Sequence, residues 1–233
     1  SEALIVGIYF FAADKRIGFR IKDIMLSGKG YYRKYFIYSI PVLISDSLLA
    51  FGNSAVAVVM GHIGPAFVAA NSIMSQAVRI TTVVNQGISR ASGVIVGNTL
   101  GTGDDEMAYG QSVTFVTLSA LAGGAAAILV RVVSGPLIGL FEVSEVTVQI
   151  AYSLADAIAV MMIFQTMQST LTKGVLRAGG DTKFLMAADV AFLWICSVPL
   201  GYIAGIRLGL SAFWVYLALR TDYVIKTIWC LLR

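Results

Sequence analysis

Six apolar stretches, at residues 37–60, 68–100, 107–133, 146–175, 184–206 and 210–232, leave this sequence one kind of fold. Each is long enough to cross a hydrocarbon core of about 30 Å, which takes roughly 20 apolar residues as a helix. Within lipid every backbone N–H and C=O has to be satisfied inside the segment itself, so such runs predict helices. Composition points the same way, since 58% of the 233 residues are hydrophobic and only 13% charged, far from the balance of a soluble domain. The reading is an all-α, polytopic integral membrane protein with six transmembrane helices over 37–233. Too little chain remains for a folded extramembrane domain.

The flanks refine this. Residues 1–13 are apolar but too short to span, and they end on Asp14, Lys15 and Arg16 without a starting methionine. A signal peptide carries its basic residues before the apolar core. The order here predicts the inner end of a truncated transmembrane helix, and hence a fragment. Residues 14–36 hold Lys15, Arg16, Arg20, Lys22, Lys29, Arg33 and Lys34 against Asp14 and Asp23, which predicts a cytoplasmic basic loop. The spacing of Ile17, Ile21, Ile24 and Met25 allows a short amphipathic helix within it.

Alternation then puts the connections at 101–106 and 174–183 inside, and those at 61–67, 134–145 and 207–209 outside. Arg90, Lys173, Arg177, Lys183, Lys226 and Arg233 belong to inner ends against Arg131 and Arg207 at outer ends, the asymmetry that orients membrane proteins. The net charge of +4 is therefore topological, and nucleic acid is not an expected partner. Cys196 and Cys230 lie within apolar runs and His62 stands alone, so neither a disulfide framework nor a clustered metal site is expected. No cofactor is expected.

One row of residues, four apart, never carries a large side chain: Ala77, Thr81, Asn85, Ser89, Gly93, Gly97 and Gly101. In lipid, helices associate through small residues and interhelical hydrogen bonds, so this row predicts a packing seam. Two inner connections share a design, Gly101-Thr102-Gly103-Asp104 and Gly179-Gly180-Asp181-Thr182. Glycine ends one helix and aspartate caps the next. Neither is a phosphate loop, because the Gly-Lys-Ser/Thr ending is missing.

At these connections the sequence resembles a known family. The run Gly87-Ile-Ser-Arg-Ala-Ser-Gly-Val-Ile-Val-Gly-Asn-Thr-Leu-Gly-Thr-Gly-Asp104, with Ala108 beyond it, is similar to the eighth helix and following loop of multidrug and toxic compound extrusion (MATE) transporters. The run Gly174-Val-Leu-Arg-Ala-Gly-Gly-Asp-Thr-Lys183 resembles that family's loop between helices ten and eleven. Pro41, Gly61 with Gly64, Ala69-Ala70-Asn71 and Arg79 also fall where the family tends to have them. The resemblance implies a twelve-helix transporter of two six-helix lobes around a central cavity, of which this chain is the C-terminal lobe. It further implies a cation-coupled antiporter, driven by H+ or Na+, that exports organic cations, drugs or toxic compounds by alternating access. Its partners would be membrane lipid, the missing N-terminal lobe and small organic cations, and its place a cell membrane, the inner membrane of a bacterium.

Ionisable groups inside the membrane are costly and so mark function. Asp46 lies roughly 21 Å, and Asp156 roughly 15 Å, below the outer end of its helix at about 1.5 Å rise per residue. Both are expected cation-coupling residues, and the resemblance favours Asp46. Arg79, roughly 17 Å down, lies at a depth from which it reaches Asp46, so an ion pair between them is the rival reading. Arg79, Asn85, Gln165 and Met161 are expected to line the substrate cavity, since methionine adapts its shape to varied ligands. Asp189 and Lys226 match in depth and predict a structural or gating salt bridge. Gly93, Gly97, Gly101, Arg177 and Asp181 are expected to serve structure or gating. The alternative function is a flippase for a lipid-linked precursor, which needs cations facing the cavity. An enzyme is not expected, for no span holds a histidine or another convergent catalytic set.

Overall fold

The computed structural model describes residues 29–232, and every described element is a helix. The expectations for residues 1–13, and for residues 14–28 of the basic loop, lie outside the described residues. The chain divides after Ser39, and the compact bundle described here is Ile40–Arg233.

Helix α1, Lys29–Ile63, starts at Lys29 rather than at residue 37. Residues assigned to the loop are helical because nothing before Pro41 breaks the pattern, and intrahelical bonds satisfy the backbone before it meets lipid. Helix α2, Pro65–Thr102, begins with proline in its first turn, where the missing N–H costs nothing. It stops at Gly103, whose φ of 81° is left-handed and whose N–H reaches the Leu100 carbonyl at 3.1 Å. Asp104 then caps α3, Asp105–Gly139, by accepting from the Met107 N–H at 2.9 Å. Ser144 caps α4, Glu145–Ser169, in the same way.

Helix α4 runs on through wider π turns over Thr170–Leu176. At the second glycine turn Gly180 takes φ 80°. The Asp181 side chain makes no capping bond to the helix that follows, unlike Asp104. That fifth rod alternates between α and π turns: α5, Thr182–Ala191, then Phe192–Ser197, then α6, Val198–Tyr202, then Ile203–Arg207. The sixth rod is α7, Ala212–Leu219, and α8, Thr221–Leu231, broken at Arg220 where φ is −119° and ψ 16°.

Four rods are long and apolar enough to cross a bilayer: Tyr35–Ile63, Asp105–Gly139, Glu145–Leu176 and Thr182–Arg207. Of the two other expected spans, α2 has the length but carries Arg79, Asn85, Gln86 and Arg90 along its middle, and the sixth rod is interrupted at Arg220.

An apolar core joins α2, α3, α4, α7 and parts of α1 and the fifth rod, with Met74, Val130, Leu154, Met162 and Leu219 almost fully enclosed. Met161 belongs to it, so this side chain packs among apolar neighbours. The small-residue row is a close contact over part of its length. Ala77, Thr81, Asn85 and Ser89 are buried, a Cβ on Gly93 would lie 3.5 Å from Gly174 Cα, and one on Gly97 would lie 3.4 Å from Ala178 Cβ. Gly101 has open space around it, because the row spirals away from its neighbour by the helix end. A tighter glycine stands on the partner segment. A Cβ on Gly174 would sit 2.8 Å from the Ser89 carbonyl oxygen and against the Ser92 hydroxyl.

Candidate functional site: ion pairs around a polar cavity

Each intramembrane acid singled out from the sequence is closed by a cation from a different rod. Asp46 on α1 meets Arg177, just past the π segment of the fourth rod, with Nη2 3.4 Å from Oδ1. Arg79 is exposed on α2 and the partner it was expected to provide is Arg177 instead. Depth along a helix is readable from sequence but the direction a side chain faces is not, and here direction decides. Asp156 on α4 is held by Arg131 of α3, Nε to Oδ1 2.8 Å. Neither acid is a lone buried carboxylate: the side chains of Asp46 and Asp156 are 53% and 48% exposed.

The third pair is of another kind. Lys226 Nζ lies 3.1 Å from Asp189 Oδ1 and 3.3 Å from Asp222 Oδ2, and the three residues are only 1–5% exposed. Ser45 on α1 donates to Asp189 at 3.0 Å. Ser197 donates to Asp222 Oδ1 at 3.0 Å and accepts the Asp222 N–H at 2.8 Å. One ammonium thus ties α1, the fifth rod and α8 together. The break at Arg220 makes this possible, since it frees the Asp222 N–H at the start of a new helix. Arg220 itself donates from Nη1 to Asn53 at 3.0 Å and lies 5.5 Å over the Tyr223 ring.

Sequence reasoning passed over Asp222 and Arg220. The signal was there, as three charges at 220, 222 and 226 inside one apolar run are too many to be incidental.

Beside the triad lies a polar cavity of about 170 Å³, with Asn85, Gln165, Lys173, Arg220, Asp222 and Lys226 in its lining. Asn85 and Gln165 were expected there. The amide oxygen of Asn85 and Nε of Arg220 are buried without hydrogen-bond partners. A second cavity, of about 330 Å³, shares Gln86, Ser169 and Lys173 with the first and adds Arg90 and Arg177. At the end of α4, where the π segment begins, the Ser169 carbonyl accepts from the Ser89 hydroxyl at 2.9 Å, and π turns often accompany functional sites.

Long apolar rods joined by short turns, with charges paired inside the bundle, define an all-helical polytopic membrane protein. The MatE family profile matches residues 41–203, and the chain belongs to that family. "Probable multidrug resistance protein NorM" of Photorhabdus laumondii is 25% identical over 170 residues, covering 70% of this chain and 37% of the relative. Human "Multidrug and toxin extrusion protein 1" is 26% identical over 156 residues, covering 66% of this chain and 27% of the relative. The chain therefore spans about a third of the length of the curated relatives it matches. Among solved structures, a MOP superfamily transporter from Pyrococcus furiosus superposes with a TM-score of 0.75 at 20% identity, over 84% of this chain and 43% of that one. An outward-facing multidrug resistance MATE family transporter gives the same score and identity over 44% of its chain. These likenesses show the fold.

Proposed function

We propose that the chain is the C-terminal lobe of a secondary active exporter that carries drugs or toxic compounds out across the cell membrane in exchange for H+ or Na+. The observation that carries this is the Asp46–Arg177 pair. It joins α1 to the end of the fourth rod and remains half exposed, so a proton or sodium ion has access to it. Neutralising Asp46 releases Arg177 and loosens a contact between two rods. An ion that binds one arrangement better than the other shifts the balance between them, which is what alternating access requires. The Arg131–Asp156 pair is a second contact of this type. No cofactor is needed; the partners are lipid and an N-terminal lobe of the same protein. The relatives' names speak of multidrug resistance and of toxin extrusion, not of catalysis. The resemblance points to organic cations as cargo.

In the full-length transporter Asp46→Asn is expected to abolish uphill export from loaded vesicles while drug binding persists. Export with unchanged ion dependence from a well-folded Asp46→Asn protein would overturn the proposal.

A second reading, a flippase for a lipid-linked precursor, is favoured by one observation: the cations lining the two neighbouring cavities.

A further inference from the structure

Helices α2, α3 and α4 line a pocket of about 280 Å³ that is separate from the polar cavity, with Ile80, Val84, Asn85, Ala122, Ala125 and Leu129 in its walls. Its shape follows from one close contact. Gly123 brings α3 so near α4 that a Cβ there would sit 2.8 Å from Ile163 Cα, while the alanines on either side of Gly123 are too small to fill the space left towards α2. None of the lining side chains is charged. The polar cavity, by contrast, presents Lys173, Arg220 and Lys226 against Asp222. A compound that is both cationic and apolar meets like charge there and none in the pocket.

Asn85 is the only residue that lines both. It is 6% exposed, and its amide oxygen is a buried acceptor without a donor. The pocket's own hydroxyls are committed elsewhere: Thr81 donates to the Val78 carbonyl at 2.8 Å, and Thr166 is turned to the Met162 and Ile163 carbonyls at 3.0 and 2.9 Å. Leaving a buried acceptor unmet costs free energy that a guest carrying an N–H recovers. Ile80, Val84 and Leu129 are exposed, so the mouth of the pocket is apolar and the guest needs an apolar body as well.

We infer that this pocket binds the apolar body of a lipophilic amine, with Asn85 Oδ1 accepting from the amine N–H and so setting specificity among the transported compounds. The inference rests on the transport reading above and adds to it where the cargo sits and which of its atoms is read.

Two probes with the same aromatic body and the same charge separate the hydrogen bond from everything else: protonated N,N-dimethyl-1-naphthylmethylamine, which carries an N–H, and its N-methylated quaternary counterpart, which does not. Binding is measured by titration calorimetry on the full-length transporter in phosphatidylcholine nanodiscs and corrected against empty nanodiscs. Wild-type protein is expected to prefer the N–H probe about tenfold, and Asn85→Leu to remove that preference by weakening the N–H probe alone. Ala125→Leu, at an exposed wall position, fills the pocket and is expected to weaken both probes alike. Monodisperse elution of each variant confirms its fold. A wild type without the preference, an Asn85→Leu protein that keeps it, or an Ala125→Leu protein that binds both probes as before would overturn the inference; the last result would leave the pocket to lipid chains. The coupling proposal is scored separately by export from Asp46→Asn, so normal export from that variant beside an N–H preference lost in Asn85→Leu would leave the amine pocket standing.

Discussion

Asp189 and Asp222 share one ammonium in a place almost closed to water, and this arrangement sets the stakes for each of its members. Taking an ion out of water costs several kcal/mol, and mutual attraction offsets that only when the remaining polar atoms are also satisfied. Ser45 and Ser197 supply those bonds here. Removing Lys226 alone leaves two buried carboxylates facing each other. Lys226→Met is therefore expected to destabilise the lobe by about 3–5 kcal/mol, read as a lower midpoint in thermal unfolding of the detergent-solubilised full-length protein. The triple change Lys226→Met, Asp189→Asn, Asp222→Asn removes all three charges and is expected to regain most of that loss; no recovery would show that the triad is not an electrostatic unit. Much at this scale was legible in the sequence. Asp189 and Lys226 could be matched because both sit a few turns from the same membrane face. Asp46 could not be matched, since Arg79 and Arg177 both lie within reach along the helix axes and only the packing of α1 against the fourth rod chooses between them. Met161 was misplaced for a related reason, because the chemistry that suits a drug pocket equally suits a core.

Helix on helix, the small-residue row of α2 works as a pair with the π segment of the fourth rod. Row periodicity showed which face of α2 would be approached, but the wide turns that carry Gly174 into that face have no counterpart in residue spacing, so the confinement of Gly174 escaped notice. Gly174→Ala is expected to cost about 1–3 kcal/mol by pushing on the Ser89 backbone and the Ser92 side chain. Gly101→Ala, in open space, is expected to leave expression and melting temperature unchanged. Equal melting temperatures for the two variants would refute the contact. Gly97 lies between these extremes: alanine fits beside Ala178, whereas the larger side chain of Gly97→Leu does not. The two glycine turns, by contrast, were plain from the Gly and Asp motifs, though which glycine turns left-handed (Gly103 and Gly180) and the absence of a capping bond from Asp181 were not.

For the whole molecule, hairpin connections at Gly64, at Gly103 and Asp104, at residues 140–144, at residues 177–181 and at residues 208–211 force alternate ends of the bundle to opposite sides. Single cysteines at Asp104 and Asp181 are expected to react with an impermeant maleimide only from the cytoplasmic side, and cysteines at His62 and Gly209 only from the other. Labelling of Asp104→Cys and His62→Cys from the same side would end this orientation. The break at Arg220 also bears on how the lobe is made. Arg220, Asp222 and Lys226 lie within one short stretch, and each costs about 2.5–3.5 kcal/mol at the centre of a helix entering lipid during synthesis. The last hydrophobic segment is therefore a poor substrate for the translocation channel when presented by itself. Asp189 and Ser197, which neutralise and bond its charges, emerge from the ribosome just before it. The fifth and sixth rods are therefore expected to enter the bilayer as a pair, the charges of one met by the polar groups of the other.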